Sequence, residues 1–157
     1  MEIIIIILGL IADRVSKILA VSKLKSGFEF VIIKNFFSFS YLENRGAAWG
    51  ILGGKRIFLI IVTITVIILM VYYIIKKKPE SKLMRISFSL IISGALGNLF
   101  DRVFKGYVVD FILFHYKDVY YFPTFNAADT MVVIGTALLI LYVLRDDKNC
   151  RKNYAEK

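Results

Sequence analysis

Two acidic residues stand in stretches of the chain that carry almost no other polar side chain. Asp110 lies in Tyr107-Val108-Val109-Asp110-Phe111-Ile112, and Asp129 in Phe125-Asn126-Ala127-Ala128-Asp129-Thr130-Met131. An ionisable group in apolar surroundings costs free energy, so it is the first place to look for chemistry. Two carboxylates held together where the dielectric is low cannot easily both ionise, and such a pair can hold a single proton at neutral pH. That state suits hydrolysis of a peptide bond. The ionised member takes a proton from water, while the protonated member donates to the scissile carbonyl and later to the leaving amine. Each acid also has a plainer use. Asp129 precedes an apolar run and could cap a helix N-terminus, and Asp110 could be a loop carboxylate paired with Lys105 or Arg102. Spacing alone leaves open whether the two carboxylates meet.

Further polar residues interrupt the apolar runs. Asp13 and Lys17 are spaced i to i+4, which puts them on one helix face in the favourable acid-before-base order. The alternative has Lys17 reaching to an interface with Asp13 merely alongside. Asn98, Asp101 and Arg102 follow Ser93, Gly94, Ala95 and Gly97, small residues that let another helix approach closely. Arg102 could pair with a carboxylate or a lipid phosphate through its planar fork, or could simply anchor the helix at an interface.

Other chemistries fit worse. His115 is the only histidine. A zinc site would need partners that nothing singles out, so it reads as an interfacial loop residue. Ser87 and Ser93 have no basic partner at useful spacing, which argues against a serine nucleophile. Gly53-Gly54 is a turn signal, and no phosphate-cradling glycine motif is present. The single cysteine, Cys150, allows neither a disulfide framework nor a cysteine-rich metal site.

The elements that must position these residues follow from composition. Of 157 residues, 58% are hydrophobic and 21% charged, and the mean hydropathy is +0.68. This is the profile of a membrane protein, and it excludes large soluble α/β folds. Four apolar segments, Ile3 to Val21, Ile57 to Ile75, Leu83 to Phe100 and Ala127 to Leu144, each approach the roughly 20 residues that cross a bilayer as a helix. The first begins Met1-Glu2 with no basic region before it and contains Asp13, Arg14 and Lys17, so it reads as a retained helix rather than a cleaved signal. The formal net charge of +9 would point to nucleic acid in a soluble protein. Here it is better read as topology. Lys76, Lys77, Lys78, Lys82 and Arg85 make five basic residues in ten, and the tail from Arg145 to Lys157 holds five in thirteen, against six in 35 for Ser22 to Arg56 and three in 25 for Asp101 to Phe125. Basic loops stay cytoplasmic, which places both termini inside and both long connections outside, with Asp110 and Asp129 at similar depth near the outer boundary. In the first outward connection, Phe37, Phe39 and Tyr41 alternate with Ser38 and Ser40. This period predicts a small sheet within residues 28–50 on the outer face; an interfacial aromatic belt would explain the aromatics equally well. The expected fold is an all-α membrane protein, a single domain over residues 1–157, with four transmembrane helices and an outward β-sheet between the first two.

Five motifs in order carry a resemblance. Asp13-Arg14-Val15-Ser16-Lys17, Asn44-Arg45-Gly46-Ala47-Ala48-Trp49-Gly50, Gly94-Ala95-Leu96-Gly97-Asn98-Leu99-Phe100-Asp101-Arg102, Val108-Val109-Asp110-Phe111 and Phe125-Asn126-Ala127-Ala128-Asp129 resemble those of the bacterial signal peptidase II family across nearly the whole chain. The resemblance implies a four-helix aspartic peptidase of the bacterial plasma membrane. Such an enzyme removes signal peptides from diacylglyceryl-modified prolipoproteins on the N-terminal side of the lipidated cysteine. It implies Asp110 and Asp129 as the catalytic dyad, with Asp13, Lys17, Asn44, Asn98, Arg102 and Asn126 as the supporting and substrate-positioning shell, and Gly94 and Gly97 permitting close packing. It further implies no metal or organic cofactor, no nucleic-acid partner, contact with membrane lipids and a monomer. Ser93, Trp49 and Thr130 stand where the family more often has a glycine or other small residue, Phe and Ser, which bears only on local packing. Two other classes compete. A small ion or proton transporter would spread its charges through the membrane depth, whereas these cluster toward the outer face, and a lipid-binding scaffold gives no reason for two acids at matched depth.

Overall fold

Each long apolar run folds as a helix: α1 (Glu2–Leu24), α2 (Arg56–Lys77), α3 (Lys82–Phe104) and α4 (Ala127–Ala155). The structure, a computed structural model, describes residues 1–47, 50–117 and 119–155, with 146–155 described by backbone alone. Ala48, Trp49, the Cys150 side chain and the side chains of the basic tail beyond Arg145 lie outside the described residues. The helices run past the apolar segments into their polar flanks. Ser81 caps α3, its hydroxyl accepting from the Met84 N–H at 3.4 Å, and α2 ends where Lys78 turns left-handed at φ 44° just before Pro79.

Three helices are long and apolar enough to cross a membrane, with mean hydropathies of 2.9 for α2, 1.5 for α3 and 2.1 for residues 127–145 of α4. α1 is as long, but Asp13, Arg14 and Lys17 interrupt its apolar run, and it is not among them. The least apolar of the three, α3, is the most buried and packs against α4, α1 and α2. Its buried face carries Ser87, Ser89, Ser93, Gly94 and Gly97. Between apolar helices in lipid there is no hydrophobic drive to associate, so close approach through small residues supplies the contact. A side chain on Gly94 would run into the Ala128 carbonyl of α4, and one on Gly97 would come within 2.6 Å of the Asp13 carboxylate on α1. α2 has no buried residue and lies on the outside of α3.

The sheet is larger than the alternation of residues 37–41 foretells. β1 (Phe30–Ile33) and β2 (Phe37–Asn44) come from the first long connection, but β3 (Val108–Tyr116) and β4 (Tyr120–Tyr121) come from the connection between α3 and α4, in the antiparallel order β1-β2-β3-β4. The expectation of a sheet confined between α1 and α2 is corrected accordingly. β3 has no visible alternation because Val108 to Phe111 are buried on both faces. Val109 and Phe111 pack against Ala20 and Leu24 of α1, while Val108 and Asp110 face a cavity on the other side. A strand covered on both faces reads as a continuous apolar run. His115, expected in a loop, lies in β3, stacked on Tyr121 with its Nδ1 2.9 Å from the Lys117 carbonyl.

Candidate active site

Register places the first acid. Leu42 pairs with Asp110 and Asn44 with Val108, so Asn44 is the diagonal neighbour of Asp110 on the same face of the sheet. The chain then returns to β3, where Phe125 exchanges hydrogen bonds with Ile112 and brings Asn126 beside Asp110 at the start of α4. Asn126, rather than Asp129, is the N-cap residue. Its side-chain oxygen accepts from the Asp129 N–H at 2.9 Å, and the Asp129 carboxylate accepts from the Asn126 N–H at 3.1 Å, a reciprocal capping box. The capping alternative for Asp129 is thus partly realised, and it fixes the carboxylate at the positive end of the helix dipole.

Asp110 and Asp129 line one cavity of about 670 Å³. Each of their four oxygens accepts one N–H. The Asn126 side chain donates to one Asp110 oxygen at 2.6 Å and Asn44 to the other at 2.9 Å. Asn98 donates to Asp129 at 2.7 Å, and the Asn126 backbone N–H takes the remaining oxygen. Among the described residues neither acid has a salt bridge to a lysine or arginine. Neutral donors lower the cost of ionisation less than cations do. Burial therefore prevails at Asp110, and with the Asp129 charge pushing the same way its carboxyl rises from the ordinary 3.8 to about 7. The Lys105 or Arg102 partner considered for Asp110 is not what it has.

The shell residues are drawn in behind the pair. The Asn98 oxygen accepts from Lys17 at 2.9 Å and from Asn126 at 3.2 Å. Lysine has no acceptor, so Lys17 dictates which end of the Asn98 amide faces Asp129. Lys17, 1% exposed, also bridges Asp13 at 2.9 Å and Asp101 at 3.0 Å. Arg14 joins the same two acids at 2.8 and 2.9 Å, and Lys105 reaches Asp101 at 3.0 Å. Arg102 lines the cavity and donates to the Gly46 carbonyl at 3.0 Å, and among the described residues no carboxylate forms a salt bridge with it. Sequence reasoning passed over Arg14 and Asp101 as members of this cluster. A signal was present: Asp101 and Lys105 repeat the i to i+4 acid-before-base spacing of Asp13 and Lys17. Ser93 donates to the Ile6 carbonyl at 3.1 Å and is a packing residue. Among the described residues no group of three or more His, Cys, Asp or Glu is placed to hold a metal ion.

A largely apolar cavity that holds two acids between apolar helices is what a membrane enzyme would present. Solved structures agree: one described as a bacterial membrane enzyme is 41% identical, with a TM-score of 0.86 over 94% of this chain and 90% of that one, and a second of the same description has a TM-score of 0.81 at 41% identity, over 92% of this chain and 93% of that one. The chain belongs to the signal peptidase II family, a family of proteases, whose model, described as signal peptidase (SPase) II, matches residues 5–145. Relatives named lipoprotein signal peptidase include those of Clostridium novyi, 59% identical over 94% of this chain and all of that one, and of Clostridium tetani, 57% identical over 94% of each.

Proposed function

We propose that this protein is an aspartic endopeptidase that removes the signal peptide from diacylglyceryl-modified prolipoproteins, cutting on the N-terminal side of the lipidated cysteine. The observation that supports the reading is a pair of acids, Asp110 buried and Asp129 half-buried, in one cavity and hydrogen-bonded by amides. The names of its relatives, lipoprotein signal peptidase, support a lipoprotein precursor as the substrate.

Asp110, with its carboxyl pushed up to about 7, is the proton donor, and Asp129, at the helix N-terminus, is the base. Asp129 takes a proton from water as the hydroxyl oxygen bonds to the scissile carbonyl carbon, and Asp110 gives its proton to the carbonyl oxygen. As the C–N bond breaks, Asp129 returns its proton to the leaving amine and Asp110 recovers one from the hydroxyl of the collapsing intermediate. Asn44, Asn98 and Asn126 hold both carboxylates in place through these transfers. No cofactor has a role in these steps.

All four helices span the plasma membrane as one domain, the charges of α1 being turned inward to Asp101 and Asn98. The basic loop at Lys76 to Arg85 and both termini are cytoplasmic, so the dyad sits near the outer face. Val62 and Val66 of α2 and Val133 and Ile134 of α4 line the inner part of the cavity, a slot through which a membrane-anchored precursor reaches the acids from the bilayer as a monomeric enzyme's substrate. The test is to give purified enzyme a precursor with and without its diacylglyceryl group and identify the products by mass spectrometry. A new N-terminus at the lipidated cysteine, from the modified precursor only, is expected; equal cleavage of both precursors contradicts the reading.

A further inference from the structure

Arg56 opens α2, where a cation opposes the helix dipole. Its guanidinium turns away to α3, with Nε donating to the Arg102 carbonyl at 2.7 Å and Nη2 to the Val103 carbonyl at 2.8 Å. These carbonyls lie in the last turn of α3, where a helix leaves acceptors without partners and carries its negative end. A side chain on Gly106 would come within 3.4 Å of the same guanidinium. The Arg102 side chain meanwhile donates to the Gly46 carbonyl at 3.0 Å. The two ends of the strap that leads into α2 are therefore tied to one residue, Arg102: Gly46 to its side chain and Arg56 to its backbone. Ala47 of this strap lines the cavity that holds Asp110 and Asp129, and Val62, Thr63 and Val66 form the α2 wall below it. α2 packs on α3 and the cavity lies between it and α4, so its hold on α3 sets how far its outer end stands from α4.

We propose that Arg56 is a substrate-positioning residue: by clamping the outer end of α2 and its strap to the last turn of α3, it fixes the mouth of the cavity at the width that holds the lipid-modified precursor. The inference rests on the assignment of this cavity as the precursor site. Arg56 touches neither carboxylate, so the clamp acts on binding and leaves the proton transfers alone.

The experiment measures kcat, KM and the pH dependence of kcat for wild type, Arg56→Ala, Arg56→Lys and the wall variant Thr63→Phe in purified full-length protein. Loss of two charged hydrogen bonds in Arg56→Ala is expected to raise KM roughly tenfold, with kcat within about twofold and its pH profile unmoved. Lysine offers a point charge in place of a fork, so Arg56→Lys is expected to recover part of the KM. Thr63→Phe is expected to raise KM by filling the slot. A KM raised by Thr63→Phe but not by Arg56→Ala overturns the clamp while leaving the cavity assignment standing. A KM unchanged in both overturns the cavity assignment itself. A fall in kcat or a moved pH profile in Arg56→Ala overturns the positioning role. If Arg56→Ala does not fold, the KM of Arg56→Lys decides: a value equal to wild type overturns the proposal.

Discussion

Two pairs of acids lie side by side in this molecule, and they are held in opposite ways. Asp13 and Asp101 are surrounded by cations, with Arg14 and Lys17 bridging both and Lys105 adding a third contact to Asp101. Asp110 and Asp129 are surrounded by amides. Asp13, Asp101 and Asp110 are almost wholly removed from solvent and Asp129 is half-buried, so burial alone does not set the proposed dyad apart from the other pair. The partners do. Carboxylates bridged by cations join α1 to α3, whereas Asp110, held by neutral donors, keeps a proton within reach of neutral pH. Lys17 and Asn98 connect the two clusters, the lysine belonging to the first and setting the amide that serves the second.

The contrast can be broken most severely at the proposed dyad. Asp110→Asn or Asp129→Asn is expected to lower kcat about 10²–10⁴-fold, the usual weight of general acid–base groups, with thermal unfolding little changed. At the cation-held pair the order of effects reverses. Asp101→Asn leaves Lys17, Arg14 and Lys105 short of a counter-charge and is expected to destabilise the protein by about 3–5 kcal/mol in denaturant unfolding, with cleavage per folded molecule near wild type. Asn98→Ala severs the link and is expected to cost roughly tenfold in kcat with a smaller loss of stability, because Asp129 loses one charge-assisted hydrogen bond.

The contrast also shows in the pH dependence of stability. Above its ordinary 3.8, Asp110 ionises in the unfolded chain, while the folded protein keeps the proton until about 7. The folded state therefore binds more protons between these values, and its stability falls as pH rises from about 4 to about 7 and levels beyond. The melting temperature in detergent is expected to drop between pH 5 and pH 8 through this group, and the drop is expected to shrink in Asp110→Asn.

Much of this was legible in the sequence, for physical reasons that differ by element. α2 and the apolar part of α4 are uninterrupted runs whose period and length leave one solution. The scarcity of polar residues in an apolar chain made Asp110 and Asp129 visible, and the small residues of α3 announced its central place. β3 was hidden because both its faces are covered at Val108 to Phe111, which erases the alternation that marks a strand. Asn44 and Asn126 were reached only through the family resemblance, since an amide carries no charge to stand out, and what they do depends on register between β2 and β3 and on the Phe125 bridge to Ile112. Arg14 and Asp101 were readable in principle from the repeated acid-to-lysine spacing, but their meeting required α1 and α3 to pack as closely as Gly97 allows.

The central claim is that amide-held acids do the chemistry and cation-held acids do not. Its most direct measurement is the single-turnover rate of cleavage of a diacylglyceryl-modified precursor by Asp129→Asn and by Asp101→Asn, each normalised to the folded fraction. The account predicts loss of cleavage in Asp129→Asn and a rate close to wild type in Asp101→Asn. Near-normal cleavage by folded Asp129→Asn would contradict it.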